Sequence, residues 1–302
     1  MSRAAVGPAE SGLRPLGSAF AALGVPGFCL IVLGALVRAH EAGLACPDWP
    51  LCFGLLVPEM NLRVGFEWSH RVLAGAISLG FLGLSIRALR RPDTPAGAQR
   101  LIWITGLLLG IQILLGALTV WHLLAAWTVT SHLVTGNAFV LGLLLIGVSL
   151  RNADRTATLP ESPPRTRAWL AGAAALLLAQ LVLGGLVSSR FAGLACPEWP
   201  ACNGGHWFPT WRGSVGLHLL HRWNALALVL AVVVTAWITR SDPRVRRRTA
   251  LAALLAAVQL AVGVANVLLG IPVEITGLHS ALAAALVLTL GSAVYLAWAP
   301  DR

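Results

Sequence analysis

The stretch GALVRAHEAGLACPDWPLC, residues 34–52, returns as GGLVSSRFAGLACPEWPAC at residues 184–202. The two copies lie 150 residues apart in a chain of 302 residues. Further matches follow in the same order: EWSHR (67–71) with HLLHR (218–222), and Gln112 and His132 with Gln259 and His279. The sequence is therefore predicted to be an internal duplication, in which two halves present similar groups twice.

The composition predicts a membrane protein. Hydrophobic residues make up 57% of the chain and charged residues only 11%, more apolar surface than a soluble fold can hide. Backbone groups in lipid must bond internally, so the spans should be helices. We expect an all-α integral membrane protein of eight transmembrane helices, arranged as two pseudo-symmetric four-helix bundles. The predicted spans are 18–40, 67–89, 101–121, 128–150, 168–189, 217–239, 249–269 and 275–298.

The arginines predict the topology. There is no lysine, and 16 of the 22 basic residues fall on the inner side if the N-terminus is cytoplasmic. The positive-inside rule then places both termini in the cytoplasm. Because these arginines are spread over separate short segments, the net charge of +10 indicates weak attraction to membrane lipid rather than nucleic-acid binding. We divide the chain into an N-terminal half (1–150), a polar cytoplasmic linker (151–167) and a C-terminal half (168–302).

Four histidines are the strongest candidates for chemistry. They fall in predicted helices 2, 4, 6 and 8, three to six residues from the outer end: His70, His132, His221 and His279. An ionisable group inside a membrane helix usually faces a cavity or a partner. One histidine alone would be read as a satisfied polar contact, but two per half at matched depth favour axial ligation of haem iron. Zinc is disfavoured, since each half offers only two good ligands.

Two further positions accompany the first histidine of each half. Arg71 and Arg222 follow it directly, and could either hold haem propionates or extend to lipid headgroups. Glu67 lies three residues before His70, where the other half has His218. A carboxylate beside a haem edge can act as a base or stabilise positive charge, so we expect catalysis in the N-terminal half. The alternative is an acid that complements the helix dipole.

The cysteines of the repeated stretch lie on the predicted outer face, where an oxidising compartment favours disulfides. We expect two intraloop bridges, Cys46–Cys52 and Cys196–Cys202, acting either as staples or as a redox-active dithiol. Cys29 has no partner and is expected to pack as a buried thiol. Three Gln-x-x-x-Gly patterns, at Gln112, Gln180 and Gln259, are expected to form interhelical hydrogen bonds beside close glycine packing. His40 and Glu41 are interpreted as a solvated boundary.

Together the GLACPDWPLC loop, Glu67-x-x-His70-Arg71, the later histidines and the duplication resemble the haem A synthase family over residues 18–298. The resemblance implies oxidation of the C8 methyl of haem O to a formyl group through a hydroxymethyl stage, for cytochrome oxidase assembly. It implies that the N-terminal half takes haem O, with Glu67, His70 and His132 as catalytic residues, and that the C-terminal half holds haem b. It also implies a bacterial inner-membrane enzyme, and it is compatible with haem O synthase and an electron acceptor as partners and with an oligomer.

Two other classes of function remain open. A haem carrier or assembly factor would bind haem unchanged and would not need Glu67. A thiol–quinone oxidoreductase would depend on the loop cysteines more than on the histidines. The four histidines argue against the second class, and the Glu67 asymmetry argues against the first.

Overall fold

The computed structural model describes residues 12–153 and 161–299, and within those ranges its regular structure is eight helices with no strand. Each helix is long and apolar enough to cross a membrane, which confirms the predicted fold class. In chain order they are α1 (Leu13–Ala39), α2 (Leu62–Leu89), α3 (Ala96–Trp121), α4 (Ala126–Arg151), α5 (Pro164–Ser189), α6 (Gly213–Ile238), α7 (Arg246–Leu268) and α8 (Val273–Trp298).

The helix ends fall within one residue of the predicted ones, but every helix starts two to five residues earlier. At α2 the earlier start is stabilised by a side-chain cap, which hydropathy does not count. At α2, the Asn61 side chain accepts a hydrogen bond from the Val64 N–H at 3.0 Å, which satisfies an otherwise free donor. His70 therefore lies eight residues into α2, not three, and the site is deeper than the sequence predicted. Glu67 lies beyond the first turn, so the helix-dipole interpretation of this residue is wrong.

The helices form two four-helix bundles that meet through α1 and α4 on one side and α5 and α8 on the other. Close backbone approach fixes α1 against α4: a Cβ on Gly17 would lie 2.8 Å from the Gly147 carbonyl oxygen, and the reverse also holds. Between the halves, the Arg38 guanidinium donates to the Ser188 carbonyl at 3.1 Å. These two residues occupy equivalent positions of the repeat, so the pseudo-symmetry axis passes near them.

The bundles differ in one pair of neighbouring helices. In the C-terminal bundle α6 and α7 pack closely, and Thr239 and Thr249 share a buried hydrogen bond of 2.7 Å. In the N-terminal bundle α2 and α3 touch at few positions. One of these is Phe81, whose ring lies beside Gly106 and is eleven residues, or about 16 Å, further from the loops than His70. In the N-terminal bundle α2 and α3 are therefore packed less tightly than α6 and α7 in the C-terminal bundle.

Each half has its own apolar core. Phe20, Phe81 and Phe139 pack edge to face in the first, and the second is built from aliphatic residues such as Leu170 and Leu290. Many large apolar side chains remain on the outside, as expected of a surface that faces lipid. Cys29 is among the exposed residues, so the expectation of a buried thiol is wrong. Residues 154–160 of the predicted linker lie outside the described ranges.

Candidate functional site

The four histidines lie on the even-numbered helices. Within the described residues the backbones of α2 and α4 do not approach closely, nor do those of α6 and α8, because the two members of each pair stand diagonally across their bundle. Yet His70 interacts electrostatically with His132, and His221 with His279. Each bundle thus brings two imidazoles toward a common interior space, one from each diagonal helix. The structure pairs the histidines as the duplication predicted.

A glycine on the neighbouring helix faces each imidazole. A Cβ on Gly263 would lie 3.0 Å from His279 Cε1, and one on Gly184 would lie 3.2 Å from His221 Cε1. The glycines facing His132 and His70 are Gly116, at 3.3 Å from Cε1, and Gly34, at 3.2 Å from Nε2. Real Cβ contacts are seldom so short, so these positions require glycine to leave room for the rings. A glycine opposite the imidazole thus occurs four times, once for each histidine.

Glutamines from the Gln-x-x-x-Gly patterns approach three of the four imidazoles. The amide nitrogen of Gln112 lies 3.2 Å from His132 Nε2, and that of Gln259 lies 3.2 Å from His279 Nε2. The amide nitrogen of Gln180 lies 3.2 Å from His221 Nδ1. The sequence predicted interhelical hydrogen bonds for these residues, and the structure adds that their partners are the candidate ligands. The threefold occurrence of the Gln-x-x-x-Gly pattern was a signal in the sequence that these glutamines have a common role.

The histidine pairs fit a haem. Nδ1 of both His132 and His279 is buried without a protein partner, as is the amide oxygen of Gln112 and of Gln259. Such atoms are costly unless something binds there, and the glycines leave space beside each ring. No group of three metal-ligating side chains occurs in the described part of the chain. Two facing imidazoles per bundle therefore suit an iron that already carries four equatorial ligands.

Glu67 is buried, with 5% of its surface exposed, and both carboxylate oxygens have partners. One accepts a hydrogen bond from the Cys46 N–H at 2.8 Å, and the other accepts from the Arg71 guanidinium at 2.5 Å. The carboxylate thus joins α2 to the cysteine loop. The prediction that it reaches the edge of a haem between His70 and His132 stays a prediction.

His218 takes the same place in the second half. The Cys196 N–H lies 3.3 Å from its Nδ1, and the Arg222 guanidinium nitrogen lies 3.2 Å from its Nε2. Because a neutral imidazole has only one acceptor nitrogen, His218 can accept one of these two hydrogen bonds, whereas the Glu67 carboxylate accepts both. The halves therefore differ at this position by the negative charge and by one hydrogen bond.

The two arginines hold the cysteine loops. Arg71 donates to the carbonyls of Asp48 and Leu51 as well as to Glu67, and Arg222 donates to the carbonyls of Cys196 and Ala201. Their guanidiniums are therefore engaged by the protein, which neither expectation for them included. A cavity of about 140 Å³ adjoins Arg71 beside Trp68, Cys52 and Val72, so a ligand group could still reach the guanidinium.

Both predicted disulfides are present, as Cys46–Cys52 and Cys196–Cys202, and all four cysteines are buried. Each loop is closed further by a carboxylate. Hydrogen bonds from the backbone N–H groups of Gly54 and Phe53 lower the pKa of Asp48. The equivalent Glu198 has its pKa lowered by the N–H groups of residues 205 and 204. Each loop is therefore closed by a disulfide and by a carboxylate, next to the first turns of α2 or α6.

The residues at the outer boundary have local partners. His40 donates through Nδ1–H to the Leu36 carbonyl at 2.9 Å, and its ring stacks on Phe66 at 4.3 Å. Glu41 pairs with Arg63 at 3.5 Å, with both side chains largely exposed. This ion pair agrees with a solvated boundary, whereas the stacked His40 is better ordered than that interpretation implied.

Fold and site together define a polytopic all-α membrane protein with a duplicated pair of diagonal histidines beneath disulfide-closed loops. The family model described as cytochrome oxidase assembly protein, COX15-CtaA, matches residues 20–64 and 59–290. The chain belongs to this family. The match covers both bundles and all of the site residues described above.

Curated relatives show the same extent of similarity. The heme A synthase of Shewanella oneidensis is 29% identical over 311 aligned positions, covering 89% of this chain and 92% of the relative. That of Rhizorhabdus wittichii is 30% identical, covering 87% and 88%. That of Halalkalibacterium halodurans is 28% identical, covering 86% and 90%. The similarity therefore extends over whole proteins rather than over a shared segment.

Proposed function

We propose that this chain is a haem A synthase, which oxidises the C8 methyl of haem O to a formyl group through a hydroxymethyl stage. Family membership and the names of the relatives support this activity. The observation that carries the proposal is the site itself: diagonal histidines with glycines opposite them and buried ring nitrogens that lack protein partners. A protein that only used its loop cysteines would not need these intramembrane imidazoles.

The proposal divides the work between the halves. His221 and His279 hold a resident haem b in the C-terminal bundle, which is closed between α6 and α7. His70 and His132 bind haem O in the N-terminal bundle, whose α2 and α3 pack less tightly than α6 and α7. A haem with a long isoprenoid tail is soluble in the bilayer, and in this proposal it enters between these two loosely packed helices. Glu67 then supplies the negative charge that His218 lacks.

Oxidising a methyl group releases electrons, so the enzyme needs an acceptor, and its substrate must come from a haem O synthase. The arginine distribution supports cysteine loops on the outer side of a bacterial inner membrane, with both termini in the cytoplasm. The Cys46–Cys52 loop rests on Glu67 and Arg71. A redox role of this disulfide would therefore act directly above the proposed catalytic bundle.

Pigment analysis tests the activity. The chain is expressed together with a haem O synthase in cells that lack their own haem A synthase, and the extracted haems are identified by mass spectrometry. We expect haem A and its hydroxymethyl precursor, both absent when the chain is omitted. Haem O alone, at normal protein level, would instead support the haem carrier and reject the enzyme.

A further inference from the structure

The two halves differ in the turn that follows their second helix. The sequence RPD (91–93) follows α2, and DPR (242–244) follows α6, so the two charges are exchanged about a shared proline. In both turns the first residue donates its N–H to the carbonyl three residues before it, Ala88 or Thr239. The backbone of the turn is therefore the same, and the exchange changes only what the side chains bind.

In the N-terminal half the two charges bind each other. The Arg91 guanidinium donates to both carboxylate oxygens of Asp93, at 3.0 and 2.7 Å. The guanidinium also lies against Gly12, the N-cap residue of α1, where a Cβ would come within 2.6 Å of Nη1. A cation of the protein itself therefore lies between the start of α1 and the turn after α2.

In the C-terminal half the two charges are apart. The Arg244 guanidinium extends to the end of α8 and donates to the Ala299 carbonyl at 2.8 Å. Asp242 is 8% exposed, and its Oδ1 accepts from the backbone N–H of Arg244 at 2.9 Å. Its Oδ2 is buried and has no hydrogen-bond partner in the part of the chain that the structure describes. A buried carboxylate oxygen without a donor is costly, so this atom calls for a ligand that donates hydrogen bonds.

A cavity of about 500 Å³ lies beside Asp242, between the start of α5 and the turn after α6. It corresponds to the place that the Arg91 guanidinium takes in the other half. Its volume is within the range of about 300–1,000 Å³ that is typical of small-molecule sites. Of the two carboxylates in its wall, Glu161 is already paired with Arg167 at 2.8 Å. Asp242 is therefore the carboxylate that a bound cation would meet.

The basic groups of the same cavity favour an anion. Arg165 and Arg240 are exposed residues of its wall, and guanidiniums bind phosphate through charge-assisted hydrogen bonds. Because α5 begins at Pro164, the N–H groups of Arg165 and Thr166 have no carbonyl one turn before them. The positive end of the helix dipole adds to the attraction. The cavity therefore complements a molecule that carries both an anion and a cation.

The cavity continues into a surface that faces lipid. Trp237 belongs to its wall, and Val233 and Leu230 lie four and seven residues before it, on the same face of α6. All three side chains are exposed. The Arg240 guanidinium lies 4.6 Å from the centroid of the Trp237 ring, and tryptophan next to arginine is typical of a membrane interface. A ligand with apolar chains can therefore lie along α6 while its polar head occupies the cavity.

We propose that this cavity binds the headgroup of a phosphatidylethanolamine molecule. The phosphate lies between Arg165, Arg240 and the start of α5, and the ammonium lies at Asp242. A primary ammonium has the N–H donors that Oδ2 requires, whereas the quaternary ammonium of phosphatidylcholine has none. Phosphatidylglycerol supplies the phosphate but no cation. The N-terminal half has no use for this lipid, because the Arg91 guanidinium is already the cation there.

Lipid binding by the purified protein tests the site. Phosphatidylethanolamine, phosphatidylglycerol and phosphatidylcholine with identical acyl chains are titrated separately, and bound lipid is counted by native mass spectrometry. Asp242→Asn keeps the oxygen that accepts from the Arg244 N–H and removes the charge. It should bind phosphatidylethanolamine about tenfold more weakly than wild type, the loss expected for one hydrogen bond between charged groups. Its affinity for phosphatidylglycerol should not fall.

Two further variants separate the parts of the site. Asp93→Asn is the matched control, because it makes the same change of charge in the equivalent turn of the other half, and it should bind phosphatidylethanolamine as wild type does. Arg165→Gln with Arg240→Gln removes the contacts to the phosphate, and should weaken phosphatidylethanolamine and phosphatidylglycerol alike. Both arginines are exposed, so this variant should fold even if Asp242→Asn does not.

Equal affinity of the wild-type protein for the three lipids would overturn the inference. Unchanged binding of phosphatidylethanolamine in both Asp242→Asn and Arg165→Gln/Arg240→Gln would overturn it as well. Free phosphoethanolamine is the last probe, because it has the same headgroup without acyl chains. It should compete only weakly with the lipid, and competition at equal concentration would show that the site takes a soluble phosphate compound instead.

Discussion

Glu67→His separates the two roles that the structure allows for this carboxylate. The substitution copies the second half, where the His218 ring lies between the Cys196 N–H and the Arg222 guanidinium and can accept from one of them. The variant should therefore keep part of the connection between α2 and the loop while losing the negative charge. Glu67→Ala removes both, and leaves the largely buried Arg71 without its carboxylate.

The two roles predict different magnitudes. Glu67→His loses one hydrogen bond to a charged group, worth about 1.5–3 kcal/mol, and should weaken the loop by about that much. That corresponds to about ten- to a hundred-and-fiftyfold more open loop. Removing one partner of a buried pair costs about 3–5 kcal/mol, so Glu67→Ala should open the loop further. Removing one preorganised electrostatic contact to the reacting group costs about a hundred- to a thousandfold in rate, and a neutral imidazole lacks the charge that would make this contact.

Loop opening is measured by a timed reductant pulse followed by alkylation and peptide mapping of Cys46 and Cys52. The buried Cys196–Cys202 bridge in the same molecule is the internal standard. Turnover is measured as haem A yield per protein. We expect Glu67→His to have a loop better protected than that of Glu67→Ala, and a haem A yield lowered by at least about a hundredfold. A yield within about tenfold of wild type would show that Glu67 only holds the loop, and would refute its catalytic assignment.

Three more predictions concern separate parts of the site. Gly263→Ala should place a methyl group 3.0 Å from the His279 ring. Because overpacking costs about 1–3 kcal/mol, haem b should bind about five- to a hundredfold more weakly. Spectral titration with haem b measures this, and an unchanged affinity would contradict the close contact. Because loop N–H groups depress the pKa of Asp48, its contribution to loop stability should be complete above about pH 4 and lost as pH falls further. Protection of the Cys46–Cys52 bridge from reductant, measured from pH 7 to pH 3, should drop only at the acidic end. A drop near pH 6 would argue against this carboxylate. If the N-terminal bundle is catalytic, Cys46→Ser should lower the haem A yield more than Cys196→Ser, and equal losses would favour a purely structural role for both bridges.

The sequence predicted the helices well because each span is long, apolar and bounded by polar residues. It placed helix ends within one residue but missed the starts, since the cap at Asn61 and the first turn of α2 are polar. The duplication predicted both disulfides and the pairing of the histidines. These features depend on local pattern and on the repeat, and both can be read along the chain.

Contacts between distant residues could not be predicted in the same way. Asn224 carries no motif, and its hydrogen bond to Gln180 at 2.7 Å forms only when α5 lies beside α6. The sequence showed that His218 replaces Glu67, but not that both contact the same backbone N–H of their loops. The loose packing of α2 against α3 likewise results from the arrangement of whole helices, for which no single residue is diagnostic.

The central claim is that the two halves bind different haems, and the haem that copurifies with each histidine variant tests it most directly. His70→Ala and His221→Ala proteins are purified from cells that make haem O, and the bound haems are identified by mass spectrometry. We predict that His70→Ala retains haem b and lacks haem O and haem A, whereas His221→Ala loses haem b. Loss of haem b from His70→Ala with full retention in His221→Ala would contradict the assignment of the halves.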